Sequence, residues 1–212
     1  MTPAFITLTG ANRSDLIPAM QGLSAKYPNF IEWGILIGLS PEPRFADQAT
    51  MEVLRCSGLR LSAHLCGPLA EAIFAGQILE VDLAGFSRVQ VNKPEGHASA
   101  SEREAAMRFG RKIGLRTILQ CAGPFPNDPR CDWLLDSSHG RGVPLPKVPS
   151  FDLSSAFCGL SGGISSRTVH NVLAQIKTSA PPFWLDAESA LQDASGFSIE
   201  ACDELVRSVV SI

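Results

Sequence analysis

The chain's 212 residues fit one domain comfortably and two only tightly, since domains cluster at roughly 100–200 residues. Apolar residues make up 45% and charged residues only 18%, below the usual ~25%, which excludes a disordered scaffold and points to a largely buried chain. Lys+Arg 18 against Asp+Glu 21 gives a net charge of −3 with no basic cluster, so no nucleic-acid partner is expected. No apolar run reaches the ~18 residues of a membrane helix, so no membrane partner is expected. The opening MTPAFITLTG lacks the basic start and long apolar core of a signal peptide. A soluble, cytoplasmic protein is the expectation.

Short apolar runs suited to strands recur along the chain. They are 5–9 (FITLT), 31–37 (IEWGILI), 60–65 (RLSAHL), 88–92 (RVQVN), 116–121 (RTILQC), 133–136 (WLLD), 157–161 (FCGLS) and 183–186 (FWLD). Each is close to continuously apolar, as expected of parallel strands covered on both faces. Trp33, Trp133 and Trp184 lie on these runs and are expected as buried packing. Helical stretches fill most of the gaps. One starts near Ser14, with Pro18 tolerated in its first turn, and 46–55 follows, ending at Gly58. Next come 69–74 and 101–112, the latter opening Ser-Glu-Arg-Glu and closing before Gly114. Stretches 165–176 and 199–210 complete the set.

Eight such units predict an α/β fold, a single (β/α)8 TIM-type barrel over residues 1–212. A doubly wound open sheet is the rival, but no Gly-x-Gly-x-x-Gly follows the first strand. Residues 122–130 (AGPFPNDPR) are too short and too proline-rich for a normal helix, so the crossover between strands 5 and 6 is degenerate. The prolines of 144–149 (PLPKVP) read as a stiff surface loop. None of the six cysteines forms a Cys-x-x-Cys pair, and reduced, mostly buried thiols are expected.

Barrel chemistry gathers at the C-terminal strand ends. There the chain carries Thr9-Gly10, Ser40, His64, Asn92-Lys93, Gln120, Asp136, Ser161-Gly162-Gly163 and Asp186-Ala187-Glu188-Ser189. The Ser161-Gly162-Gly163 turn before a helix reads equally as a phosphate cradle or as a tight turn needing positive φ. Asp136 reads as a general acid or base, or as a loop cap. His64 reads as a proton carrier or as a satisfied core residue. A metal among His64, Cys66 and His139 is not demanded by their spacing, and no metal is expected.

The C-terminal third resembles phosphoribosylanthranilate isomerase. Leu134-Leu135-Asp136-Ser137 with Gly140-Arg141-Gly142 looks like that family's sixth-strand signature. Leu160-Ser161-Gly162-Gly163-Ile164, running to Asn171-Val172, resembles its seventh-strand phosphate motif. Leu185-Asp186-Ala187-Glu188-Ser189 with Gly196 is similar to its last strand and phosphate loop. Upstream, Ser40-Pro41-Glu42-Pro43-Arg44 and Val89-Gln90-Val91 are weaker echoes. The family performs an Amadori rearrangement of N-(5-phosphoribosyl)anthranilate without a cofactor. The resemblance therefore implies Asp136 as general acid on the ribose ring oxygen. It also implies Gly140, Gly142, Gly162, Gly163 and Ser189 around a phosphate, and Arg44 facing the aromatic part.

Three positions depart from the pattern. Thr9, followed by Gly10, stands where the family has its strand-one catalytic cysteine; Asn92 replaces a strand-four histidine; and Glu188 stands where a small residue is usual. Three readings follow. One is a related acid–base enzyme on a sugar-like or phosphorylated small molecule, using Asp136 with His64 or Glu188. Another is the true isomerase with its base moved to Cys66 or His64. The third is a small-molecule binder or interaction protein that kept the barrel and lost the chemistry. The sequence leaves oligomeric state open.

Overall fold

The computed structural model of the protein describes residues 1–40, 42–93, 98–136, 142–145, 147–151, 156–194 and 196–211. Eight parallel strands close into a barrel in sequence order: β1 (Phe5–Thr9), β2 (Ile31–Ile37), β3 (Leu61–Leu65), β4 (Phe86–Val91), β5 (Arg116–Cys121), β6 (Asp132–Leu135), β7 (Cys158–Leu160) and β8 (Phe183–Ala187). Closure is made by β8 on β1, with Phe5 beside Trp184 and Thr7 beside Asp186. Helices α1 (Ile17–Lys26), α2 (Gln48–Arg55), α3 (Pro68–Phe74), α4 (Ala100–Ile113), α5 (Val169–Leu173) and α6 (Ile199–Val210) follow strands one, two, three, four, seven and eight. The crossover from β5 to β6 carries no helix. This is the (β/α)8 barrel with a degenerate fifth crossover. Among the described residues no helix is long and apolar enough to cross a membrane.

Local chemistry sets the helix ends. In α4 the cap is Ser99 rather than Ser101: the Ser99 hydroxyl accepts from the Glu102 amide while the Glu102 carboxylate accepts from the Ser99 amide. Gly114 then closes α4 in the left-handed region. Ser14 caps nothing; a single 3-10 turn over Ser14–Leu16 leads into α1. The expected helix over 165–176 shrinks to Val169–Leu173, because Thr168 Oγ1 accepts from the Ser165 amide at 3.0 Å and donates to Gly163 O at 2.6 Å. Those side-chain bonds hold a turn where helix was expected.

Two apolar clusters divide the barrel by strand parity. The larger lies between barrel and helices and takes Ile6, Leu8, Trp33, Ile35, Val89, Val91, Leu119, Trp133 and Leu185. The smaller, Phe5, Ile118, Leu134 and Trp184, lies inside the barrel. All three tryptophans are buried, and of the six cysteines only Cys56 is exposed. The expectation of strands apolar on both faces is corrected here, for most of the inward positions are polar. Thr7, Thr9, Glu32, Ser62, His64, Arg88, Gln90, Asp132, Asp136 and Asp186 are all buried. They stack in layers drawn from alternate strands, as barrel interiors do.

At the N-terminal end the inward charges are mutually paired. Glu32 accepts from Thr7 Oγ1 (3.0 Å), Arg60 Nε (3.1 Å) and Arg88 Nε (3.1 Å). Asp132 accepts from Arg116 Nε (2.8 Å) and lies 3.4 Å from Arg88 Nη1. The Arg60 guanidinium sits 3.7 Å over the Phe5 ring and that of Arg88 4.4 Å over Trp184. This alternating chain of acids and guanidiniums plugs the barrel floor and leaves the other end for a site.

Candidate active site at the C-terminal mouth

A cavity of about 240 Å³ opens at the C-terminal strand ends. Its wall includes His64 and Cys66 from β3 and its exit, Gln90 and Asn92 from β4, Gln120 from β5 and Asp136 just past β6. Ser161, Gly162 and Gly163 follow β7, and Asp186, Glu188 and Ser189 come from β8 and its loop. Arg44 and Gly142 complete the rim. The sequence candidates Asp136, His64, Glu188, Arg44, Asn92, Gly142, Gly162, Gly163 and Ser189 thus share one cavity. Gly140 and His139 lie outside the described residues. A larger open groove of about 780 Å³, beside the loops after β1 and β2, carries one of the strand-end residues singled out in the sequence, Ser40.

Thr9 and Gly10 sit elsewhere. Thr9 is fully buried beneath the cavity, and its hydroxyl donates to Asp186 Oδ1 at 2.8 Å. Gly34 opposite makes room for it: a Cβ there would lie 2.2 Å from Thr9 Oγ1 and 3.0 Å from His64 Cε1. Gly10, at φ +115°, faces Gln192 and Phe197 and is not part of the wall.

The polar side chains are held by one another. Gln120 accepts from the Lys93 amide at 3.0 Å and points its NH2 at Asp136 Oδ2, 3.3 Å away. Gln90 Nε2 donates to Asn92 Oδ1 at 2.7 Å, and Asn92 Nδ2 lies 3.1 Å from Cys66 Sγ. Asn12 fixes the Arg44 loop, donating to Arg44 O while its Oδ1 accepts from the Leu36 amide at 2.9 Å. Two atoms in the wall are left over. Among the described residues His64 Nε2 and Gln90 Oε1 have no hydrogen-bond partner, although His64 is 2% and Gln90 3% exposed. Buried polar atoms are rarely left so, and here they mark where a ligand's groups can go.

Burial also sets the protonation states. Desolvation, opposed by the Glu32 charge and aided by the Arg88 charge, pushes His64 down to about 4, so its imidazole is neutral at pH 7. Asp186 is pushed up to about 8 by desolvation, against the Thr9 hydrogen bond, and so is mostly protonated at pH 7. Glu188 is exposed at the rim, and what desolvation it meets there, then the Asp136 charge, raises it, with Arg44 opposing. Burial raises the Cys66 thiol, which makes it a poor thiolate base. Among the described residues no three His, Cys, Asp or Glu side chains group as a metal site.

The glycines after β7 are needed for loop packing. Gly163, at φ +61°, lies so close to Pro144 that a Cβ would come within 2.8 Å of its Cα. Gly162, at φ +100°, approaches Val143 O in the same way.

Asp186, noted in the sequence only as a strand-end residue, and Gln90, noted only within Val89-Gln90-Val91, are polar wall residues to which sequence reasoning assigned no role. Their signal was alternation: Arg88-x-Gln90-x-Asn92 and Asp186-x-Glu188 place polar groups at every second position of strands that otherwise read as apolar.

Fold and cavity together define a single-domain (β/α)8 barrel with titratable groups gathered at its C-terminal mouth. No family model matches the chain, and no curated protein matches it. Solved structures do. The phosphoribosyl anthranilate isomerase of Thermus thermophilus superposes with a TM-score of 0.65 over 98% of each chain at 18% identity. The N-(5'-phosphoribosyl)anthranilate isomerase of Pyrococcus furiosus gives 0.60 at 15% identity over 98% of this chain and 99% of that one. The Thermococcus kodakaraensis enzyme gives 0.60 at 14%, over 97% and 98%. The chain has the fold of these isomerases from end to end, and at such identities the likeness is one of fold.

Proposed function

We propose that this barrel is an isomerase-like acid–base enzyme acting on a small sugar-like or phosphorylated metabolite. The observation that carries this reading is the meeting of Asp136, Glu188, Asp186 and His64 in one cavity, whose burial holds Asp186 protonated and His64 neutral at pH 7. Groups of opposite duty in one pocket are the usual acid–base arrangement. Asp136, at the end of β6 and steadied by Gln120, is the first proton carrier. Glu188 is the second, its raised affinity for a proton bringing it nearer to neutral pH, where proton transfer is most effective. Protonated Asp186 and neutral His64 orient the substrate.

Action on N-(5-phosphoribosyl)anthranilate itself is less well supported. The cavity falls below the roughly 300–1,000 Å³ of sites for ligands of that size. Thr9, at the position of the family's base, spends its proton on Asp186. The same bond favours a second reading, a binder without chemistry.

The test is proton exchange. Wild type, Asp136→Asn and Glu188→Gln are incubated in D2O with pentoses and pentose phosphates, following deuterium uptake at C2 by NMR. Loss of N-(5-phosphoribosyl)anthranilate fluorescence is followed in parallel. Exchange that Asp136→Asn lowers by about 10²-fold or more is the expected result. Exchange and fluorescence loss at background rates for every compound would leave the binder.

A further inference from the structure

We propose that the molecule this cavity accepts is an uncharged polyhydroxy compound of pentose size, an unphosphorylated sugar or sugar alcohol, whose hydroxyls engage Gln90 Oε1 and His64 Nε2. The proposal rests on the reading above for the location of the site and narrows its substrate class.

The two unpartnered atoms set the chemistry. Because the Gln90 NH2 is committed to Asn92, the oxygen of that amide is the end left over, and an amide oxygen can only accept. A ligand must bring it a donor. A fully ionised phosphate group offers acceptors only, whereas a hydroxyl donates and accepts at once, so these two atoms suit a ligand's hydroxyls. A neutral imidazole has one N–H and one lone pair, so a hydroxyl also suits His64 Nε2 whichever tautomer is present.

The charges point the same way. Among the described lining residues are the carboxyl groups Asp136, Asp186 and Glu188, of which Asp186 is mostly protonated at pH 7, and one cation, Arg44. That cation is already bound to Glu42 (2.9 Å) and lies 4.6 Å over the Phe45 ring. A polyol meets groups that accept its protons, and protonated Asp186 can also donate.

Size agrees. At ~30 Å³ per water, 240 Å³ is the space of about eight waters, which suits a pentose and not a sugar phosphate with an aromatic substituent.

Calorimetric titration of the full chain with D-ribose, ribitol, D-ribose 5-phosphate and inorganic phosphate tests this. Ribose or ribitol is expected to bind at least about tenfold more tightly than ribose 5-phosphate, with no competition from phosphate. In Gln90→Met, which removes the acceptor at similar volume, that binding should fall by roughly tenfold, the worth of one well-placed hydrogen bond. The wild-type comparison stands even if the variant does not fold. Tighter binding of ribose 5-phosphate, displacement of ribose by phosphate, or no binding of either polyol overturns the proposal. Polyol binding without deuterium exchange removes only the enzymatic reading. Turnover of a sugar phosphate without polyol binding removes only this one.

Discussion

The two ends of one barrel use the same residue types and leave them in opposite states. At the N-terminal end Glu32 and Asp132 are buried, yet each lies against guanidinium groups, and the Arg60 and Arg88 guanidiniums rest on aromatic rings. At the C-terminal end Asp186 meets only a hydroxyl, and His64 and Gln90 keep atoms with no partner. Buried charge at the first end is compensated within the chain. At the second it is met by protonation instead, or left to whatever enters from solvent. A polar barrel interior is therefore not in itself a site; the pairing of its charged groups separates plug from pocket, even though the Trp184 indole N–H in the plug has no partner among the described residues.

The sharpest way to break this contrast is Arg88→Met. Removing one partner of a buried ion pair leaves the other uncompensated, and such losses cost about 3–5 kcal/mol. Urea unfolding should show a loss of that order, and Glu32→Leu combined with Arg88→Met should recover a large part of it. A loss below about 1 kcal/mol in the single variant would mean that the plug is not held by its charges.

Asp186→Asn should act in the opposite direction. The carboxyl has a value near 3.8 when unfolded and about 8 when folded. Between those values the folded chain keeps a proton that the unfolded chain has lost, so this group lowers stability as pH rises through the window. The amide variant is free of that penalty. It should be the more stable protein at pH 8, by on the order of a few kcal/mol, with the gap narrowing by roughly 1.4 kcal/mol per unit as pH falls toward 4. Equal gaps at pH 5 and pH 8 would show that the carboxyl does not titrate there. A gain in stability with a loss of ligand binding is the trade expected of a binding residue.

How much of this contrast could be read beforehand depended on the face of the strand. The outward face was legible: β1, β2 and β5 begin and end where their apolar runs do, and α6 occupies its expected 199–210. The top-face list also held most of the cavity wall, because polar residues ending apolar strands are conspicuous. The inward face was not legible, since Val89 and Val91 on either side of Gln90, or Leu185 and Ala187 around Asp186, make a strand with a polar inner stripe look apolar overall. Nor could pattern tell a paired arginine from an idle one, because Glu32, Arg88 and Asp132 come from three strands and meet only on closure. The shortening of α5 escaped for a local reason, the hydroxyls of Ser165 and Thr168 taking over bonds that a helix would have made.

The smallest effect concerns the boundary between the two ends. Ser62 lies beside Gly34 and Arg88 in the sheet, above the plug and below His64 on the same strand. Its hydroxyl is fully buried without a partner, whereas Thr7, which also points inward, is bound to Glu32. An unsatisfied buried hydroxyl costs ~1–3 kcal/mol, so Ser62→Ala should leave stability unchanged or raise it by about 1 kcal/mol. A loss of stability instead would mean that the hydroxyl is bonded in solution, for which a buried water is the natural partner. The solvated pocket would then reach one layer deeper than His64, and the plug would begin directly beneath it at Arg88.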